Sequence, residues 1–75
     1  MLEKLKPIIT NYVKVDPEEI TENSEFINDL GFNSYDFMSF LGEIEDEFDV
    51  EVNERDVMNI KTVGQAIEYI KSLSE

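Results

Sequence analysis

These 75 residues predict an all-α fold: a small antiparallel four-helix bundle, three main helices plus a short third helix, with a long first loop. Apolar residues recur at three- and four-residue steps in three separate stretches, and capping signatures precede the last two helices. No pair of strand-like stretches, internal repeat or low-complexity segment competes with that pattern.

Leu2, Leu5, Ile8, Ile9, Tyr12 and Val13 share one helix face, which predicts a first helix over residues 2–14. Pro7 lies inside it and lacks an N–H, so the helix is expected to start late or kink. Asp16-Pro17 ends the pattern, and the polar run up to Asn33 reads as a long ordered loop pinned by Ile20, Phe26, Ile27 and Leu30. At 100 degrees per residue, Phe37, Phe40, Leu41, Ile44 and Phe48 fall on one arc, the core face of a second helix that begins beside Ser34. Tyr35, Met38 and Gly42 lie on a different, more exposed arc. A third, short helix is expected from Glu54 to about Met58, with Asn53 as its N-cap and Asp56 answering it in the first turn. Thr62-Val63-Gly64-Gln65 is a capping box, and Val63, Ala66, Ile67, Ile70 and Leu73 carry a fourth helix to about residue 73.

The totals narrow the function. A chain of this length buries only about 60% of its unfolded surface, so a single domain over 1–75 with a modest core is expected, and a deep catalytic pocket is not. Eighteen acidic residues against six basic ones give a net charge of −12, which opposes nucleic acid and anionic membrane and favours partner proteins with basic surfaces. The chain has no cysteine and no histidine, so thiolate nucleophiles, a Ser-His-Asp triad and the usual zinc sets cannot be assembled from it. No apolar stretch reaches the roughly 20 residues needed to span a bilayer, and the N-terminus lacks the apolar segment of a secretory signal. A cytoplasmic monomer with no stable membrane insertion is the expectation.

The stretch DLGFNSYDF, Asp29 to Phe37, places Ser34 at the start of the second helix behind a turn glycine. With no histidine to deprotonate it, Ser34 is more credible as a modified residue than as a nucleophile of its own. A helix N-terminus presents free N–H groups and a positive dipole to an attached phosphate. Taken alone, Ser34 or Asn33 would read simply as a helix cap.

DLGFNS followed by an apolar helix and then EIEDEFDVEV resembles the acyl carrier protein family. The upstream VDPEEITENSEFINDLG is similar to that family's first loop and TVGQAIEYI to its last helix, in the expected order. The resemblance implies that Ser34 receives 4'-phosphopantetheine from coenzyme A through a phosphopantetheinyl transferase, and that the arm's thiol holds cargo as a thioester. It implies a non-catalytic carrier that presents acyl intermediates to acyl-transferring or synthase enzymes of fatty acid or polyketide type. It also implies that an acyl chain slips between helices two, three and four, where Phe32, Phe37, Phe40 and Phe48 would line or fill the space. Close packing by these rings would favour a short or polar cargo. The family usually has Asp before the serine and Leu after it, where this chain has Asn33 and Tyr35.

Eight acids and one base, Arg55, lie between Glu43 and Asp56, a field that steers a basic enzyme surface towards helix two. Asn33, Tyr35, Asp36, Met38, Glu43, Glu47 and Glu54 are the expected docking residues, although acidic runs often only solvate a helix face. An aminoacyl or peptidyl-type carrier and a cofactor-free acidic interaction module are the alternatives. An EF-hand is excluded, because Ser34 occupies the glycine position and Phe40 the terminal glutamate position of the loop starting at Asp29.

Overall fold

The computed structural model describes residues 1–74, and the order of elements is α1 (Leu2–Ile9), a 3-10 turn (Pro17–Glu19), α2 (Ser34–Phe48), α3 (Glu54–Val57) and α4 (Val63–Ser74). The four expected helices are all present, in the expected order.

α1 is shorter than its apolar periodicity predicts, ending at Ile9 rather than 14. Beyond Ile9 the bonding turns irregular: Asn11 N–H donates to the Ile8 carbonyl and Tyr12 N–H to that of Ile9 at three-residue steps, Val13 N–H reaches the same Ile9 carbonyl at a four-residue step, and Thr10 Oγ1 donates to the Pro7 carbonyl. Tyr12 and Val13 nevertheless pack against the core. The periodicity reported a buried face, and that face outlasts the regular helix.

The first loop is ordered by its own polar groups. Asp16 accepts from Glu18 N–H at 2.9 Å and caps the 3-10 turn, and Ser24 Oγ accepts from Thr21 N–H at 3.0 Å. Ile20, Phe26 and Leu30 are buried as expected. Ile27 is not: it is 55% exposed. Phe26 N–H donates to the Lys61 carbonyl, Val63 N–H to that of Ser24 and Gly64 N–H to that of Glu22, around a single antiparallel bridge between Glu25 and Thr62. Gly64 allows this close approach: a Cβ there would stand 3.0 Å from the Glu22 carbonyl oxygen, which would have to give way by a few tenths of an ångström.

α2 buries Phe40, Leu41 and Ile44 and half-buries Phe37 and Phe48. It ends at Asp49, which takes the left-handed conformation at φ 53 and donates its N–H to the Glu45 carbonyl. α4 opens with the expected capping box: Gln65 N–H donates to Thr62 Oγ1 at 3.2 Å, and Gln65 Oε1 accepts from the Thr62 and Lys61 N–H groups. In α3, Asn53 caps as predicted, through Arg55 N–H at 3.0 Å. Asp56 answers Asn53 through the backbone, its N–H donating to the Asn53 carbonyl at 3.0 Å, while its carboxylate accepts instead from the Tyr69 hydroxyl, which in turn accepts from Asn53 N–H. A second link between α3's two ends therefore runs through α4.

Candidate functional site

Ser34 is the first residue of α2, and what leaves its hydroxyl free is its neighbour. Asn33 holds the N-cap position with extended backbone (φ −98, ψ 176), and its Oδ1 accepts from Asp36 N–H at 2.8 Å while its carbonyl accepts from Phe37 N–H. Gly31, at φ 83, makes the turn that aims the chain into this cap. Capping thus falls to Asn33. Ser34 is exposed, and among the described residues its Oγ makes no hydrogen bond. The Ser34 and Tyr35 N–H groups also donate to nothing among those residues, so two unsatisfied donors and the positive end of a fifteen-residue helix surround the hydroxyl. A phosphate ester on that oxygen fits this corner without displacing any internal contact.

The other expected site residues divide into free and committed ones. Tyr35 is 87% exposed and Met38 50%, both on the outer arc of α2. Glu47 and Glu54 are exposed and carry no partner among the described residues, whereas Asp36 is half-buried. Asn33 is exposed, yet its side-chain oxygen is already used by the cap. Glu43 is exposed but occupied: its Oε1 accepts from the Tyr12 hydroxyl at 2.6 Å. That bond is the main reason the Tyr12 phenol is pushed up to about 12, with burial and the charges of Glu43 and Asp36 adding to it. Tyr69 is raised as well, chiefly by burial, against the opposing hydrogen bond from Asn53.

The phenylalanines do not act as one group. Phe26, Phe32, Phe37 and Phe40 form a continuous cluster with centroids 5.1 to 6.5 Å apart. Phe48 lies outside it, lining a groove against α1 with Lys4, Pro7 and Ile8. Sequence reasoning missed three contributors near the site. Tyr12 reads as an ordinary core position. Lys61 is an isolated base, and Ile27 looked like a buried anchor; both instead border a cavity of about 270 Å³ that touches Phe37.

Among the described residues no helix is long and apolar enough to cross a membrane, and one ion pair, Lys6 with Glu3 at 3.5 Å, offsets the acidic surface.

Residues 3–70 match the family model described as a phosphopantetheine attachment site. The chain is 45% identical over 69 residues to an acyl carrier protein of Lactobacillus acidophilus, covering 92% of this chain and 86% of that one. It is 40% identical over 75 residues to an acyl carrier protein of Clostridium perfringens, covering 100% and 99% of the two chains. Among solved structures it is similar to the acyl carrier protein from Enterococcus faecalis, with a TM-score of 0.84 and 37% identity over 97% of this chain and 92% of that one.

Proposed function

The chain belongs to the acyl carrier protein family, whose members carry acyl intermediates on phosphopantetheine, and from that premise we propose that Ser34 Oγ is the atom to which its arm is joined. The observation that carries this reading is the division of labour at the start of α2: Asn33 caps the helix, so the adjacent Ser34 hydroxyl is exposed and unbonded.

In the attachment step the Ser34 hydroxyl loses its proton to a base supplied by the transferase. Its oxygen then bonds to the coenzyme A phosphorus that bears pantetheine, and adenosine bisphosphate leaves. The free N–H groups of Ser34 and Tyr35 and the dipole of α2 favour the resulting phosphodiester charge. Once attached, the arm supplies a thiol that holds an acyl group as a thioester. The chain contributes no catalysis of its own; it offers its cargo to acyl-transferring or synthase enzymes of fatty acid or polyketide type. Glu47, Glu54, Tyr35 and Met38 form the docking surface, because their charges and apolar groups are not spent inside the fold.

Incubation with coenzyme A and a broad-specificity phosphopantetheinyl transferase, followed by mass spectrometry, tests the reading. One added arm, absent in Ser34→Ala, is expected. An unmodified wild-type chain, or an arm that persists in Ser34→Ala, refutes it.

A further inference from the structure

We propose that the groove between α1 and the second half of α2 is a docking site for a partner protein segment that presents one apolar side chain between an acidic and a basic one, and that a partner held there leaves Ser34 open.

Residues 1–14 hold three of the six basic residues and only one of the eighteen acids, so α1 is a basic edge on an acidic molecule. Lys4, Pro7 and Ile8 share one stripe of α1 and, with Asn11 just beyond it, form one side of a groove of about 500 Å³. Glu43, Glu47 and Phe48 of α2 form the other side. The apolar lining is Pro7, which is exposed, Ile8 and the half-buried Phe48 ring. The Tyr12 hydroxyl, next in sequence to Asn11, holds Glu43 and so braces one wall against the other before any partner arrives. Lys4 and Glu47 are exposed on opposite sides of this groove, and neither has an ion-pair partner among the described residues.

Those unspent charges select the occupant. A uniformly basic surface, which suits the rest of the molecule, is repelled here by Lys4 and Lys6. A uniformly acidic one is repelled by Glu43 and Glu47, and a second copy of this chain brings its own charge of −12. A segment with an apolar side chain against Pro7 and Phe48, an acid towards Lys4 and a base towards Glu47 satisfies all three features at once. The rise of a fifteen-residue helix puts Phe48 about 20 Å from Ser34. The partner therefore grips the body of the protein at the end of α2 far from the attachment corner, which other enzymes can reach at the same time.

The test uses the intact, unmodified chain and a short capped helical peptide whose single leucine is flanked, one turn away on either side, by a glutamate and an arginine. Chemical-shift changes are expected at Lys4, Ile8, Asn11 and Phe48. Peptides with both flanking residues basic or both acidic should bind at these positions about fivefold more weakly, and a leucine-to-alanine peptide should not bind there. Lys4→Glu, a change at an exposed position, should reverse the order, so that the doubly basic peptide binds the groove best. Transferase modification of Ser34 should keep its rate within about twofold when the peptide is saturating. The proposal is overturned by an absence of shifts at these positions, by a doubly basic peptide that binds the wild-type groove as well as the mixed one, by an order unmoved in Lys4→Glu, or by a peptide that blocks modification. Shifts produced instead by phosphatidylglycerol vesicles, or self-association in sedimentation that Lys4→Glu abolishes, would assign the groove to a membrane or a second copy and overturn it too.

Discussion

The Tyr12 hydroxyl donates to Glu43 Oε1 at 2.6 Å, joining the turn after α1 to the middle of α2 across 31 positions of sequence. The Tyr12 ring also packs on Phe32 and Phe40, with centroids 5.9 and 6.3 Å away. One side chain therefore ties the early part of the chain both to the aromatic cluster and to the acidic face.

Tyr12→Phe keeps the ring and removes the bond, and should cost about 1 kcal/mol in urea unfolding. The pH dependence follows from the raised phenol. The unfolded chain gives up this proton near 10.0 and the folded one near 12, so the contribution is complete below 10.0 and is lost as pH rises between the two values. The wild type should lose stability across that alkaline window more steeply than Tyr12→Phe. Parallel curves would show that the proton is not held by Glu43.

Tyr69→Phe should loosen α3 selectively. Its hydroxyl accepts from Asn53 N–H and donates to Asp56, both at 2.9 Å, and α3 is only four residues long with no buried side chain of its own. Hydrogen exchange at Asn53 to Val57 is expected to quicken by roughly tenfold, about 1.4 kcal/mol of local stability, with α2 amides little changed. A uniform increase along the chain would mean that the hydroxyl supports the whole fold.

Asn33 separates capping from docking. Asn33→Ala should destabilise the chain by about 1 kcal/mol through the lost bond to Asp36 N–H. Asn33→Asp keeps an acceptor there and adds a charge, so it should retain stability and speed modification by a broad-specificity transferase. An unchanged modification rate would show that the transferase does not read position 33.

Glu47 and Glu43 should behave differently although both are exposed. Glu47→Lys is expected to weaken transferase binding several-fold and to flatten its salt dependence, leaving Tm nearly unchanged. Glu43→Gln should act mostly on stability, since that carboxylate is held by Tyr12. Equal effects of the two on affinity would contradict this division.

Added salt should raise Tm at neutral pH. A net charge of −12 is almost uncompensated by ion pairs among the described residues, so self-repulsion is the property that screening relieves. A flat melting curve against salt concentration would refute it.

The helices were legible because amphipathic spacing and caps are local signals: Thr62 with Gln65, and Asn33 and Asn53, act where the residue types say they should. The family was legible from the segments around Ser34. The end of α1 was not, because Tyr12 and Val13 continue the apolar face after regular helical bonding gives way to mixed three- and four-residue turns. Ile27 was misread because, without regular structure, an apolar residue in a loop gives no direction for its side chain. The bonds of Tyr12 and Tyr69 join residues 31 and 13 or more positions apart, and no short window of sequence contains them.

The bridge between Glu25 and Thr62 encloses all of α2 and α3. Its hydrogen bonds give their return only after the chain has closed a long loop, and that closure is an entropic toll on the folding rate. Lengthening the segment between α2 and α3 with glycines should therefore slow refolding while hardly touching the unfolding rate, which makes this small contact a pacemaker of assembly rather than an ornament of the finished molecule.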